Sequence, residues 1–430
     1  MANQWKRGRL LSGVAAVAIA SLTVAGCGGG SSSNNNGGSS SGNSRGPITF
    51  VTGKDNSGVW APMIAKWNKA HPSEKVTLKE QTDNADQQHN DIVQHMQAKD
   101  PSYDIVTVDV IWTAEFAAKG WLQPLTGQYK FDTAGFLPPT VNAATYNHTL
   151  YAAPWASDGG LLYYRTDLVK SPPKTLAEMW NDCKIAQQHH ISCYAGQFAK
   201  YEGLTVNATE AINTAGGQVV DSAGKPTINS PQAKQGLQDL VNAVQKGYIP
   251  KKESTYQEEQ GRIAFEAGKF LFMRNWPYCY SLAKTDGSSK VKNTFAVAPL
   301  PGMNGQPGAS SLGGHSEAIS TYSDHKQTAL DFLKFITAPA QQKFIAQKGS
   351  LAPVRASLYS DKDLIKQLPY LPTLKTAISN AVPRPVTPYY PAVTAAIETN
   401  AFAALWQNKP VGQALADMQK SMQAASSSSG

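Results

Sequence analysis

From residue 47 onward the apolar positions alternate between two periods. In "PITFVTGK", "KVTLKEQ" and "YDIVTVDV" the β-branched and aromatic residues crowd into short runs bounded by polar punctuation, which predicts strands. Between them, "GVWAPMIAKWNKAHP" has helical spacing, with Pro62 in its opening turn and Pro72 past its end. "DQQHNDIVQHMQAKD" stacks Ile92, Val93 and Met96 on one face, and "TAEFAAKGWL" follows the third strand as another helix. Two successive βαβ units predict a parallel sheet with right-handed crossovers. Ligands of such sheets sit beyond the carboxyl ends of the strands. Asp55, just past the first strand, and Asp109, ending the third, are therefore expected to overlook one crevice.

The pattern restarts near "APWASDGGLLYYRTDLV". "TLAEMWNDCKIAQQ" opens with Thr175 and Glu178 at the spacing of a capping box. In "SPQAKQGLQDLVNAVQKG", Ser230 is the expected N-cap, Pro231 takes the first helical position and Gly247 is the stop. Leu237, Leu240, Val241 and Val244 form its apolar stripe. "EEQGRIAFEAG" predicts a helix ending at Gly268, and "KFLFM" the strand after it. Arg274, Asn275 and Trp276 would then stand past a strand end, on a second wall facing the same crevice.

Residues 1–26 carry Lys6, Arg7 and Arg9, then an apolar run, then small residues, the pattern of a signal peptide too short to span a bilayer. The run closes in "VAGC", which resembles a bacterial lipobox with Cys27 as the lipidated residue. "GGGSSSNNNGGSSSGNSRG", within residues 27–46, has nothing to bury and reads as a flexible tether. Lipid, tether and folded body together predict a surface lipoprotein on the outer face of the cytoplasmic membrane, with membrane lipid as a partner. The net charge of +8 includes three basic residues of the signal, leaving +5 as scattered lysines. That is a solvated surface and not a nucleic-acid footprint. Export permits disulfides, and Cys183 and Cys193 close a short local loop, which predicts that pair and leaves Cys279 as a buried thiol. His89 and His95 fall on different helix faces, so no metal site is expected, and "GKDNSG" lacks the spacing of a phosphate-binding loop. No cofactor is expected.

"DVIWTAEFAAKGWL", "GLLYYRTDLV", "FMRNWPYCY", "LGGHSEAIS" and "RPVTPYYP", in this order behind the lipoprotein signal, resemble the extracellular solute-binding proteins of sugar ABC transporters. Within that group they resemble the trehalose/maltose/sucrose-binding branch, including actinobacterial trehalose-binding lipoproteins. The resemblance implies an α/β, two-lobed periplasmic-binding-protein-like fold of the maltose-binding type. It implies discontinuous lobes, 47–154 with 302–352 and 155–301 with 353–424, and a hinge between them; residues 425–430 are expected as a flexible tail. It implies a monomeric, non-enzymatic protein that closes on a disaccharide, trehalose first, and hands it to membrane permease subunits. By the same resemblance the binding glutamate falls on Glu258, with Glu259 as the one-residue alternative, and Asp158 holds a hinge position.

Sugars offer hydroxyls at the rim and C–H bonds on the face. Carboxylates and arginine grip adjacent hydroxyls, and Trp276 suits the C–H face. Gly313 and Gly314 would let backbone approach the ligand, and Arg384 stands in a rigid proline-rich loop. Asp91 is either a further acceptor or a solvated helix residue. Two other readings remain at this point. An exported glycoside hydrolase would use paired carboxylates such as Asp109 and Glu258, and a surface adhesin would bind polymeric glycans in an open groove.

Overall fold

The computed structural model describes residues 45–428; the expected signal, Cys27 and most of the tether lie outside the described residues. Strands β1 (Ile48–Thr52), β2 (Val76–Glu80) and β3 (Ile105–Asp109) are joined through helices Trp60–Ala70 and Ala85–Gln97, as the periods predict. Trp60, Met63, Ile64 and Trp67 are buried at i, i+3, i+4 and i+7, so one stripe of the first helix covers the sheet. Asn84 caps the second helix by accepting the Gln87 amide. After a short hairpin, β4 (Thr145–Tyr146) and β5 (Thr149–Leu150), comes β6 (Ala153–Gly159). Next in the chain are β7 (Leu161–Arg165), β8 (Ser192–Ala195), β9 (Phe270–Asn275), β10 (Phe295–Ala298) and β11 (Leu312–Ile319).

These strands form two main sheets. The first has the order β2-β1-β3-β11-β6, and the second β10-β7-β9-β8. β1, β2 and β3 are parallel as expected, but β11 runs antiparallel to both β3 and β6, so the sheet is mixed. The period of a strand reports its buried face, not its partner, and β11 arrives from two hundred residues downstream. In the second sheet β8 and β9 are parallel and the other pairs antiparallel.

The chain passes from β6 in the first sheet to β7 in the second through Gly160 alone. The Gly160 amide donates to Ser310 Oγ at 2.5 Å, and Ser311 bridges Val382. Three passages of chain thus lie side by side between the sheets. The boundary expected at residues 154/155 falls inside β6, which pairs with the first sheet as far as Gly159.

The capping box at Thr175 and Glu178 and the Ser230 cap both form. A disulfide joins Cys183 to Cys193, while Cys279 is a buried thiol. Helix Glu202–Thr214 has no counterpart in the sequence reading. Nearly all its residues are buried, so it lacks the one-sided stripe by which helices announce themselves. No helix among the described residues is long and apolar enough to cross a membrane.

Candidate functional site

The carboxyl ends of β1 and β3 and the amino-terminal end of the antiparallel β11 open onto a cavity of about 230 Å³ between the two sheets. One wall holds the segment after β1, Asp109 at the end of β3, Trp155 and Asp158 of β6, and Gly313 to His315 of β11. The opposite wall holds Tyr201 and Glu202, the start of helix Glu258–Glu266, then Trp276, Tyr278 and Arg384. Asp55, Asp109, Asp158, Glu258, Trp276, Gly313, Gly314 and Arg384 all line this cavity, together with Glu259.

Asp55 is partly committed: it accepts the Trp60 amide at 2.7 Å and the Ser57 hydroxyl at 2.9 Å, which holds the entry to the first helix. Glu258 and Glu259 differ in what they have left to offer. Glu259 is gripped by Arg262 through Nε and Nη2 and accepts the Tyr278 hydroxyl at 2.6 Å. Glu258 accepts the Tyr201 hydroxyl at 2.8 Å and a hydrogen bond from the Trp276 side chain, but no cation grips it. Its acidity is weakened by burial, against which the Tyr201 hydrogen bond acts. Glu258 is therefore the freer acceptor.

Arg384 is nearly inaccessible, with 2 % of its side chain exposed. It donates from Nη1 to Glu202 at 2.5 Å and from Nη2 to Asp109 at 3.3 Å, while its buried Nε has no protein partner. Glu202 also accepts the Tyr390 hydroxyl at 2.6 Å, and its amide donates to Asp86 Oδ1 at 3.3 Å. Arg384 and Glu202 thereby tie the two walls together.

Three expectations need correction. Arg274 and Asn275 do not stand past a strand; they are the last two residues of β9 and are fully buried. Asn275 does not line the cavity. Its Oδ1 accepts the Trp276 amide at 2.8 Å and its Nδ2 donates to the Glu258 carbonyl at 3.1 Å, so it sets the backbone behind two lining residues. Asp91 is also elsewhere: its helix turns Ala85 and Gln88 to the cavity, while Asp91 accepts from Gln81 and Tyr103. Gly313 and Gly314 do line the cavity, and each also permits a close approach within the protein. A Cβ on Gly313 would lie 2.8 Å from the Trp276 ring, and one on Gly314 2.3 Å from the Ala156 carbonyl oxygen.

Several lining residues were missed. Trp60 and Trp155 stack on each other at 4.2 Å and, though nearly buried, both reach the cavity on the first wall. Both look like core residues in the sequence because a ring can bury one face and present an edge. Tyr201 and Glu202 were hidden with their unpatterned helix. A cue existed: Glu202 and Glu210 are acidic residues in a stretch otherwise suited to burial.

Asp158 is buried, and its Oδ1 has no protein partner. Burial pushes its carboxyl up to about 6; His315 opposes the shift, Asp109 adds to it and Arg274 opposes it. A folded-state value above the ordinary 3.8 means the charged form destabilises the empty protein above about pH 6, and the penalty fades as pH falls toward 4. Asp158→Asn is therefore expected to stabilise the empty protein by up to about 3 kcal/mol near neutral pH and by little at about pH 4. Denaturant unfolding at the two pH values checks this; an equal effect at both would remove Asp158 as the titrating group.

Known proteins offer a comparison for this geometry. The family profile of bacterial extracellular solute-binding proteins matches residues 62–373. A probable ABC transporter-binding protein of Deinococcus radiodurans is 34 % identical over 346 residues, 75 % of this chain and 80 % of that protein. A mannitol-binding protein of Pseudomonas aeruginosa is 26 % identical over 349 residues, 74 % of this chain and 79 % of that protein. Among solved structures, maltose-bound MalE3 of T. maritima superposes with a TM-score of 0.84 at 33 % identity, covering 88 % of this chain and 99 % of that one.

Proposed function

The chain belongs to the bacterial extracellular solute-binding proteins, and from that premise we propose that its cleft captures a neutral disaccharide for an ABC importer. The family is one of binding proteins and not of enzymes, and the chain shares the two-lobed α/β fold of MalE3. The observation that carries the sugar reading is the make-up of the cavity wall. Asp55, Asp83, Asp109, Asp158, Glu202, Glu258 and Glu259 line it, against Lys54 and Arg384. Such an excess of acceptors suits a ligand made of hydroxyl donors and repels an anionic one. Trp276 offers a flat apolar surface to the C–H face of a sugar ring, and the Trp60–Trp155 pair adds aromatic surface on the other wall.

Trehalose is the first choice, on the "MRNWPY" and "RPVTPYYP" segments; maltose, sucrose and other α-glucosides are the alternatives. Asp109, Asp158, Glu258 and Arg384 bind hydroxyls, Trp276 stacks, and Asp55 keeps its second role at the helix entry. Closure of the two lobes, whose first crossing lies at Gly160, follows from the ligand's higher affinity for the closed state. The closed monomer docks on the permease subunits.

A thermal-shift panel of trehalose, maltose, sucrose and mannitol tests the reading. Ligand at about one hundred times its dissociation constant raises stability by about 2.7 kcal/mol. Silence from every sugar would sink the proposal, and a response to mannitol alone would move it to polyols. Anchoring through Cys27 is part of the same proposal: Cys27→Ala should release the protein from the membrane fraction, and unchanged fractionation would exclude the lipid.

A further inference from the structure

We infer that Arg274 is a positioning residue which sets the Trp276 ring before ligand arrives and ties it to the passage between the sheets; this rests on the sugar reading above. Arg274 is 1 % exposed at the end of a wholly buried strand. A buried guanidinium persists only if it is paired and its donors are satisfied. Here Nε and Nη2 donate to the two oxygens of Glu210 at 2.8 and 2.6 Å, and Nη1 donates to Gln197 at 3.1 Å. The two-point grip fixes the plane of the guanidinium.

That plane lies against Trp276. The guanidinium carbon is 3.9 Å from the ring centroid, a cation–π contact out of solvent. On its benzo edge the ring meets Gly313, where a Cβ would come within 2.8 Å. One face and one edge of the ring are thus occupied by protein, while Trp276 still lines the cavity. Glu210 reaches further. Its Oε1 also accepts the Ser311 amide at 2.9 Å, and Ser311 bridges Val382 beside the Gly160–Ser310 contact. A Cβ on Gly160 would lie 2.7 Å from Arg274 Nη2. The stacking plate, its guanidinium backing and the crossing strands form one connected unit, so the ring's orientation is pre-set, which spares the ligand the cost of ordering it.

A buried ion pair that served stability alone would affect binding equally whether or not Trp276 is present. The test uses that difference, with the full-length protein, Arg274→Lys, Trp276→Ala and the double variant. Lysine keeps a charge opposite Glu210 but lacks the fork and the flat surface. Maltose and trehalose titrations should show Arg274→Lys weakening binding about tenfold in the presence of Trp276 and about twofold or less in the Trp276→Ala background. A ligand-free arm reads the ring directly: the 5-fluorotryptophan resonance that disappears in Trp276→Phe should shift and broaden in Arg274→Lys while the other tryptophan resonances hold. If Arg274→Lys does not fold, the neutral pair Arg274→Met with Glu210→Gln takes its place in both arms. An unchanged Trp276 resonance, or equal losses of affinity in both backgrounds, overturns the inference. Failure of the unmodified protein to bind either sugar overturns the sugar reading instead, and the resonance then decides the placement of Arg274.

Discussion

Trp276→Ala should weaken disaccharide binding by about thirty- to a thousandfold, the loss of about 2–4 kcal/mol that truncating a central aromatic contact brings. The ring is partly exposed to the cavity and follows β9 instead of sitting within the core. Its removal takes away a flat face against the ligand but leaves Phe270, Leu271, Phe272 and Met273 buried as before. Because the ring also covers the Arg274 guanidinium and meets Gly313, the empty protein should lose some stability too, about 1–2 kcal/mol, less than the loss in affinity. Trp276→Phe retains an apolar plate over Arg274 and should lose less. Calorimetric titration beside an unliganded melt separates the outcomes. Undiminished affinity removes the stacking assignment, and a large fall in melting temperature would make Trp276 a packing residue.

Arg384→Ala should have a different signature, with stability lowered as strongly as affinity. Removing one partner of a buried ion pair strands the other, at about 3–5 kcal/mol. Glu202 would be left with the Tyr390 hydroxyl and the side chain of Thr394 in place of a cation. Burial already raises the Glu202 value, and Arg384 is the largest influence against that rise. Without Arg384 the folded-state value climbs further above the unfolded one. The penalty in Arg384→Ala should therefore be greatest at neutral pH and shrink as acid lets Glu202 take up its proton. Arg384→Lys keeps the charge but lacks the fork that reaches Asp109 and Glu202 together, so affinity should still fall. Urea unfolding at neutral and acid pH, with titration of the sugar, measures both effects. A variant as stable as the parent at neutral pH would show that the bridge between the walls is not holding them.

The legible part of this protein was what depends on neighbours in the chain. The stripe Trp60, Met63, Ile64 and Trp67, the Ser230 cap and the Thr175–Glu178 box are contacts within a few residues, so their spacing predicts them. The rule that ligands meet strand ends was enough to bring Asp55, Asp109 and Trp276 to one cavity. The family resemblance added Glu258 and Asp158, which periodicity alone does not mark.

Only the tertiary structure decided how those residues are employed. Glu258 and Glu259 are adjacent and alike in sequence, and the distinction between them comes from Arg262 and Tyr278 occupying one carboxylate. Asp91 left the site because its helix turned it toward Gln81 and Tyr103. Arg384 meets Glu202 across 182 residues and Asp109 across 275, and Arg274 meets Glu210 across 64. The period of an element says which of its faces leaves water; it carries no record of what comes to lie against that face. Charges paired across such distances, and the helix Glu202–Thr214 buried on every side, are products of the assembled fold.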